Sequence, residues 1–336
     1  MQKRVSLKDI ATRVGVSTAL VSYVLNGKEK EKRVGSAMAQ KIRETAEALH
    51  YTPNPIAQSL RRGTTQTIGV IVADIANPFF GHMCRVIENE ANQAGYTVIF
   101  GSSDEDINKS GRLTTMLSDR QVDGFIIAPT ENSSDQLRIL KSHNTPVVMI
   151  DRYFQDIPAS HVTLDNFRAC YDATSHLIEK GFKKPGAVFY KTHLIHMQER
   201  MRGYRQAMID AGMAPEIRIG EVRYGHTMED TLLTVKELTK GEEACDALLF
   251  ATNNLSICGL YAIRHLGLVV PDQLGVLGFD GNEAFDFFYA PLTYIVQPIE
   301  EMGKQAFQIL LSSIQGSDEI VHKKLSHQLI KRASCR

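Results

Sequence analysis

Cysteine is sparse in this 336-residue chain, and long apolar runs are missing from it. The five cysteines (Cys84, Cys170, Cys245, Cys258 and Cys335) are odd in number and show no C-x-x-C spacing. That argues against a zinc site or a disulfide framework and for buried free thiols. No segment is apolar for long enough to span a bilayer, and the opening MQKRVSLKDIATRVG carries no signal-peptide core, so the expectation is a cytoplasmic protein with no membrane partner. Signatures of catalysis are missing too: there is no G-x-S-x-G elbow, no Walker loop, no G-x-G-x-x-G and no H-E-x-x-H. No catalytic residue, metal or other cofactor is therefore assigned, and the chain is read as a non-enzyme. His193 and His196 stand three apart, but with no carboxylate or cysteine cluster beside them they read as borders of a cleft.

Charge of one sign is plentiful, but unevenly placed. The chain as a whole is neutral, yet residues 1–63 hold 12 Lys plus Arg against 5 Asp plus Glu, a local +7 balanced by −7 over the rest. A basic head on an acidic body most often meets phosphate, although a solvated lysine-rich face would give the same count. Single cores rarely grow past roughly 250–300 residues, so two or three domains are expected here.

Local pattern separates those readings of the head. Ser6 and Asp9 form an S-x-x-D capping signal for a helix with Leu7, Ile10, Ala11 and Val14 on one face. Gly15 suits the left-handed end of that helix, and Ser17 suits the cap of the next. The second helix turns Leu20, Val21, Val24 and Leu25 inward, leaving Thr18, Ala19, Ser22, Tyr23 and Asn26 facing out. Two short helices about a glycine turn are the pattern of a helix-turn-helix, whose second helix enters the major groove. The string D-I-A-x-x-V-G-V-S-x-x-x-V-S-x-V-L-N, followed by ALHYTPNPIAQSLRRG, resembles the head of the lactose-repressor/galactose-repressor (LacI/GalR) family of bacterial transcriptional regulators. The resemblance implies that Thr18, Ala19 and Tyr23 meet bases, with Ser17, Ser22 and Asn26 on the same DNA-binding surface. Tyr23 stands where the family usually has Arg, and Leu20 where it usually has Thr. Tyrosine cannot reproduce the paired bonds of arginine to guanine, so the operator sequence does not carry over. About three extra residues in the charged stretch 28–33 lengthen the loop before helix three.

Asn54 is a good N-cap and Pro55 a good first helical residue, so residues 55–62 form a short helix by pattern, with Ile56, Ala57 and Leu60 on its apolar face. So short a helix is marginal alone and needs a partner. By resemblance, two such helices pair in the minor groove with Leu60 as a wedge between base pairs, Asn54 and Ala57 beside it, and Arg61 and Arg62 near phosphates.

From residue 67 apolar runs alternate with helical patterns: TIGVIV, YTVIF, VDGFII, PVVMI, PGAVF, DALLF and LGVLGF. Gly95, Gly181, Gly212 and Gly267 fall where a helix would end before the next strand. This is the texture of α/β folds with doubly wound parallel sheets, and about 270 residues suffice for two lobes. Ligands of such sheets bind at the carboxyl ends of strands, where Asp74, Asp151, Asn253 and Asp280 fall. A carboxylate and a guanidinium, such as Arg200 of R-x-x-G-Y, can hold vicinal hydroxyls, and Phe79, Phe80 or Tyr224 can stack on a sugar ring. The body resembles the type I periplasmic-binding-protein fold of the same family; in it, positions matching Asp151, Arg200, Asn253, Asp280 and Gln297 line the effector site.

The expectation is an all-α head (1–53), a hinge helix and linker (54–66) and a two-lobed effector-binding and dimerisation body (67–336). The first lobe takes about 67–165 plus 298–320, and the second about 166–297 plus 321–336. The implied function is a repressor whose partners are double-stranded operator DNA, a sugar-like small-molecule effector and a second copy of the chain. A nucleobase or a protein corepressor is the alternative within the family; a sugar-binding protein or enzyme on the same body fold is the other. Residues 320–336 alternate like a strand rather than a heptad coil, which favours a dimer over a tetramer.

Overall fold

The computed structural model describes residues 5–52 and 63–335, in two compact units, 1–65 and 66–336. The first unit holds α1 (Leu7–Val14), α2 (Thr18–Leu25) and α3 (Ser36–Ala48) around Ile10, Ala11, Val14, Val21, Val24, Ala39, Ile42 and Ala46. Its punctuation is local. The Ser6 hydroxyl accepts from the Asp9 N–H at 3.4 Å, the Asp9 carboxylate accepts from the Ser6 N–H at 2.8 Å, and Gly15 ends α1 at φ 83. Ser17 caps α2 by accepting from the Leu20 N–H at 3.2 Å. Helices of 8 residues do not persist alone; the shared core holds them.

The second unit carries two six-stranded sheets. The first has the order β11-β5-β4-β3-β1-β2, from β1 (Thr67–Val72), β2 (Thr97–Ser102), β3 (Gly124–Ile127), β4 (Val147–Ile150), β5 (Ser160–Leu164) and β11 (His322–Leu325), all parallel. The second has the order β12-β10-β9-β8-β6-β7, from β6 (Pro185–Tyr190), β7 (Arg218–Val222), β8 (Ala247–Phe250), β9 (Gly275–Phe279), β10 (Thr293–Val296) and β12 (Gln328–Ile330); only the β12–β10 pairing is antiparallel. Central strands such as β3, β4, β8 and β9 are buried throughout, as parallel strands covered on both faces must be.

The helices α4 (Pro78–Gln93) and α12 (Ile299–Ile314) cover one face of the first sheet, and α5 (Ile107–Asp119) and α6 (Ser134–Ser142) the other. The second lobe carries α7 (Asn166–Glu179), α8 (Ile195–Asp210), α9 (Thr227–Leu238), α10 (Asn253–Leu266) and the short α11 (Glu283–Phe287). All five cysteines are buried and unpaired. No helix among the described residues is long and apolar enough to cross a membrane.

One boundary differs from the expectation. Residues 321–336 are expected in the second lobe, yet β11 pairs with β5 in the first sheet, and the segment joins the second only from β12 onward, where Ser334 bonds to Val276 and Thr293. The Ser160 hydroxyl accepts from the Val321 N–H at 3.0 Å, and the Val321 carbonyl accepts from the His161 N–H at 3.0 Å, so this segment is zipped to β5 before the chain crosses over. A strand reading H-K-K-L has no apolar run to announce it; it survives as a sheet edge, where lysines stay in water.

Candidate functional site

The parallel strands of both sheets point their carboxyl ends into one cleft, and there the chain leaves a cavity of about 460 Å³. Asp151 and Asp280 stand at matching places, each just past a central strand. Asp151 has φ 66 and donates its N–H to the Val162 carbonyl at 3.0 Å; Asp280 has φ 60 and donates to the Ile295 carbonyl at 2.8 Å. A left-handed residue there turns the strand out of its sheet while keeping one last ladder bond, and aspartate tolerates that conformation better than most.

Eight of the nine residues expected in the site line the cavity: Asp74, Phe79, Phe80, Asp151, Arg200, Tyr224, Asp280 and Gln297. Asn253 does not. Its side chain, at the start of α10, donates to the Asp280 carbonyl at 3.3 Å and so braces the turn, while its neighbour Asn254 faces the cavity. At a helix start one residue rotates the side chain by about 100°, since a turn takes 3.6 residues, and the sequence does not say which asparagine is in phase.

Asp74 is a turn residue as well as a wall: its carboxylate accepts from the Ala76 N–H at 2.9 Å. Asn77, also on the wall, caps α4 by accepting from the Phe79 N–H at 3.1 Å. Phe79 and Phe80 meet edge to face with centroids 4.9 Å apart, each buried in the core on one side and facing the cavity on the other. Arg200 is wholly buried. Its Nε donates to Asn166 Oδ1 at 2.8 Å, Nη1 donates to the Ala251 carbonyl at 2.6 Å, and the guanidinium lies 3.8 Å above the Phe279 ring. The rest of R-x-x-G-Y is structural: Gly203 lets α8 meet the Phe167 carbonyl of α7, and the Tyr204 hydroxyl donates to the Pro185 carbonyl at 2.8 Å.

Several wall residues were not expected. Arg152 is 2% exposed, with Nη1 2.8 Å from Glu105 Oε1 and Nε 3.3 Å from Asp151 Oδ2. Burial works against its charge, but the two carboxylates outweigh burial and hold it protonated. The contacts are charge pairings rather than aligned hydrogen bonds, since Nε and Nη1 both lack a partner of good geometry. Tyr190 stacks on Tyr224 at 4.0 Å and 11°, covering one face of that ring, and accepts from Asn254 Nδ2 at 3.0 Å.

Electrostatics separates the groups further. Burial pushes the Asp280 carboxyl up to about 6; Arg200 and the bond from Gln297 Nε2 at 2.8 Å oppose that rise, and Asp151 adds to it. His196 is held neutral, first by burial and then by the Arg152 and Arg200 charges, and its Nδ1 has no partner; nor does Gln297 Oε1. His193 instead gives its backbone N–H to Glu131.

On the head, Thr18, Ala19 and Asn26 are exposed, and Ser22 and Tyr23 half-buried. Asn26 caps α2, its Nδ2 donating to the Ser22 carbonyl at 2.6 Å, and Ser17 is committed to the Leu20 N–H. The Lys32 ammonium lies 5.8 Å over the Tyr23 ring, which sets the charged loop beside the outward face of α2. Asn54, Ala57, Leu60 and Arg61 lie outside the described residues.

Comparison with known proteins agrees with this architecture. Residues 65–333 match the family model for periplasmic binding proteins and the sugar binding domain of the LacI family, and residues 6–54 match that for bacterial regulatory proteins of the lacI family. The HTH-type transcriptional repressor PurR of Aliivibrio fischeri is 32% identical over 321 residues, covering 93% of each chain. A LacI family transcriptional regulator from Enterococcus faecium, solved with bound ribose, is 26% identical with a TM-score of 0.71, over 80% of this chain and 98% of that one. The lac repressor dimer bound to operator shares the fold over 99% of both chains at a TM-score of 0.85 and 22% identity. With both the helix-turn-helix head and the two-lobed body accounted for, the chain belongs to the LacI family of DNA-binding transcriptional regulators.

Proposed function

We propose that this regulator is a repressor that binds double-stranded operator DNA as a homodimer, and that a neutral sugar or sugar derivative in the interlobe cavity sets its operator affinity. Thr18, Ala19 and Tyr23 read bases, Ser17, Ser22 and Asn26 share their surface, and Asn54, Ala57, Leu60 and Arg61 complete the interface. The effector half of the reading is carried by the wall itself. It sets the carboxylates of Asp74, Asp104, Glu105, Asp151 and Asp280 against the guanidinium groups of Arg152 and Arg200. That acid excess repels a phosphate ester or a carboxylate. A hydroxyl both gives and takes a hydrogen bond, so it suits a wall where Arg152 has unsatisfied donors and Gln297 Oε1 is an unsatisfied acceptor. The ribose seen in the Enterococcus faecium regulator is of this chemical class.

Calorimetry on the full chain tests the reading, against neutral pentoses and hexoses, their phosphate esters, and nucleobases. A neutral sugar is expected to bind, its phosphate ester to fail, and operator affinity in a gel shift to change by the ~1–3 kcal/mol usual for such coupling. Binding of a nucleobase with no response to any sugar refutes the sugar assignment, and binding of the phosphate esters refutes the charge argument.

A further inference from the structure

The loop after β3 sends one side chain across the cleft. Glu131 Oε2 accepts from Thr192 Oγ1 at 3.0 Å, and Glu131 Oε1 accepts from the His193 N–H at 3.0 Å. Glu131 belongs to the first lobe; Thr192 and His193 form the turn between β6 and α8 of the second. The same Thr192 oxygen accepts from the Leu194 N–H at 3.2 Å, at the residue just before α8. This helix has no side-chain cap of its own: Leu194 occupies the cap position and offers no acceptor.

A helix start exposes unpaired N–H groups and a partial positive charge, and a carboxylate nearby stabilises it. In α8 that carboxylate comes from the opposite lobe. The helix it serves brings His196 and Arg200 to the cavity wall, whereas Glu131 is not itself on that wall. Bonds to an ionised acceptor are roughly twice as strong as neutral ones. In a separated pair of lobes water takes over both ends, so the bridge biases closure without locking it.

We propose that Glu131 is a cross-cleft latch: it holds the two lobes together before any ligand arrives and fixes the start of the helix that carries Arg200. Its significance for effector binding rests on the reading of the cavity as the effector site. Glu131 is a positioning residue in that scheme, since it acts through α8. Apparent affinity scales with the fraction of chains already in the competent state, so the latch sets how much binding free energy is left over after closure.

The test needs no ligand, which separates its failure from failure of the sugar reading. Spin labels are placed at Lys141→Cys on α6 and Lys236→Cys on α9, both exposed and on different lobes, in a background whose native thiols are all buried. The labelled full chain is diluted with unlabelled chain, and the label-to-label distance is read by pulsed electron resonance. With Glu131 intact the distribution is expected to be single and narrow. Glu131→Ala is expected to lose that peak to a longer, broader one. Glu131→Gln, which keeps an acceptor for the His193 N–H but not the charge, is expected to fall between. Once a sugar is found by calorimetry, an affinity roughly tenfold weaker in Glu131→Ala corresponds to a closed population cut to about a tenth. A distribution unchanged in Glu131→Ala overturns the latch. If that variant does not fold, a wild-type distribution in the isosteric Glu131→Gln overturns it instead.

Discussion

The two lobes of the body use one backbone device and give it two chemistries. Asp151 and Asp280 occupy equivalent strand ends with nearly the same left-handed φ, 66 and 60. Around Asp151 the first lobe buries a guanidinium between two carboxylates, Glu105 and Asp151 itself. Around Asp280 the second lobe buries a guanidinium among neutral acceptors, the Asn166 amide and the Ala251 carbonyl, and leaves the carboxyl with an amide from Gln297. Repetition of a fold thus fixes where a side chain stands but not which partners surround it, because those come from elements far apart in the chain.

Breaking the arginines tests this most severely. Arg152→Met strands the buried Asp151 carboxylate and the half-buried Glu105 one, and its expected cost is ~3–5 kcal/mol of unfolding free energy by urea titration. Arg200→Met strands two neutral acceptors, the Asn166 amide and the Ala251 carbonyl, and takes from Asp280 a nearby positive charge without leaving an ion-paired carboxylate bare, for an expected ~1–3 kcal/mol. Equal losses would show that pairing with carboxylates gives Arg152 no larger structural role than pairing with neutral acceptors gives Arg200.

The helix pairs make a second, smaller contrast. A Cβ at Gly203 in the second lobe would sit 2.2 Å from the Phe167 carbonyl oxygen, a backbone atom that cannot step aside. At Gly303, where α12 meets α4 in the first lobe, it would meet Val86 Cγ1 at 2.8 Å, a side chain able to shift. Overpacking usually costs ~1–3 kcal/mol, so Gly203→Ala is expected at the top of that range and Gly303→Ala at the bottom. Thermal unfolding of the two variants orders them, and a reversed order would refute the distinction.

The finest contrast is in pH. The Asp280 carboxyl sits near 6, raised by burial, and ligand hydroxyls donating to it favour its ionised form. Binding then releases a proton, so effector affinity is expected to rise with pH through about 6 and level off above it. For stability the sign is opposite: the raised value favours the fold below the ordinary carboxylate range, and that contribution is lost as pH rises through 6. Calorimetry in buffers of different ionisation enthalpy reads the proton directly. Asp280→Asn is expected to flatten the profile, while Asp151→Asn, by removing a like charge, moves its midpoint lower.

What could be read from the sequence was local. Ser6, Asp9, Gly15 and Ser17 act on neighbours a few residues away, so the head was legible almost helix by helix. Asp151 and Asp280 were legible because a polar residue ending an apolar run stands out. Arg152 was not: a charge beside a charge after a strand reads as solvated, and its burial comes from Glu105 on another loop. Tyr190 reads as the last residue of a strand, and its role follows from Tyr224 across a loop. The edge and inner strands β5, β7 and β11 hid for a related reason. Ser160, His161 and Thr163 are polar yet buried, because neighbouring strands and rings satisfy them rather than an apolar pattern.

The late return of the chain to the first sheet has a consequence for synthesis on the ribosome. Met302, Ala306, Phe307 and Leu310 of α12 share a core cluster with Ile126, Val148, Ile150 and Val162 of β3, β4 and β5, and β11 finishes the sheet edge. These pieces emerge after every strand of the second lobe except β12. Domains generally fold in order of emergence, but here the part made first waits, with α4 alone on one apolar face, until β6 to β10 of the second lobe have emerged. A nascent chain stalled just before residue 299 therefore leaves the α12 side of that face open to water, and the first lobe is finished only after most of the second has been made.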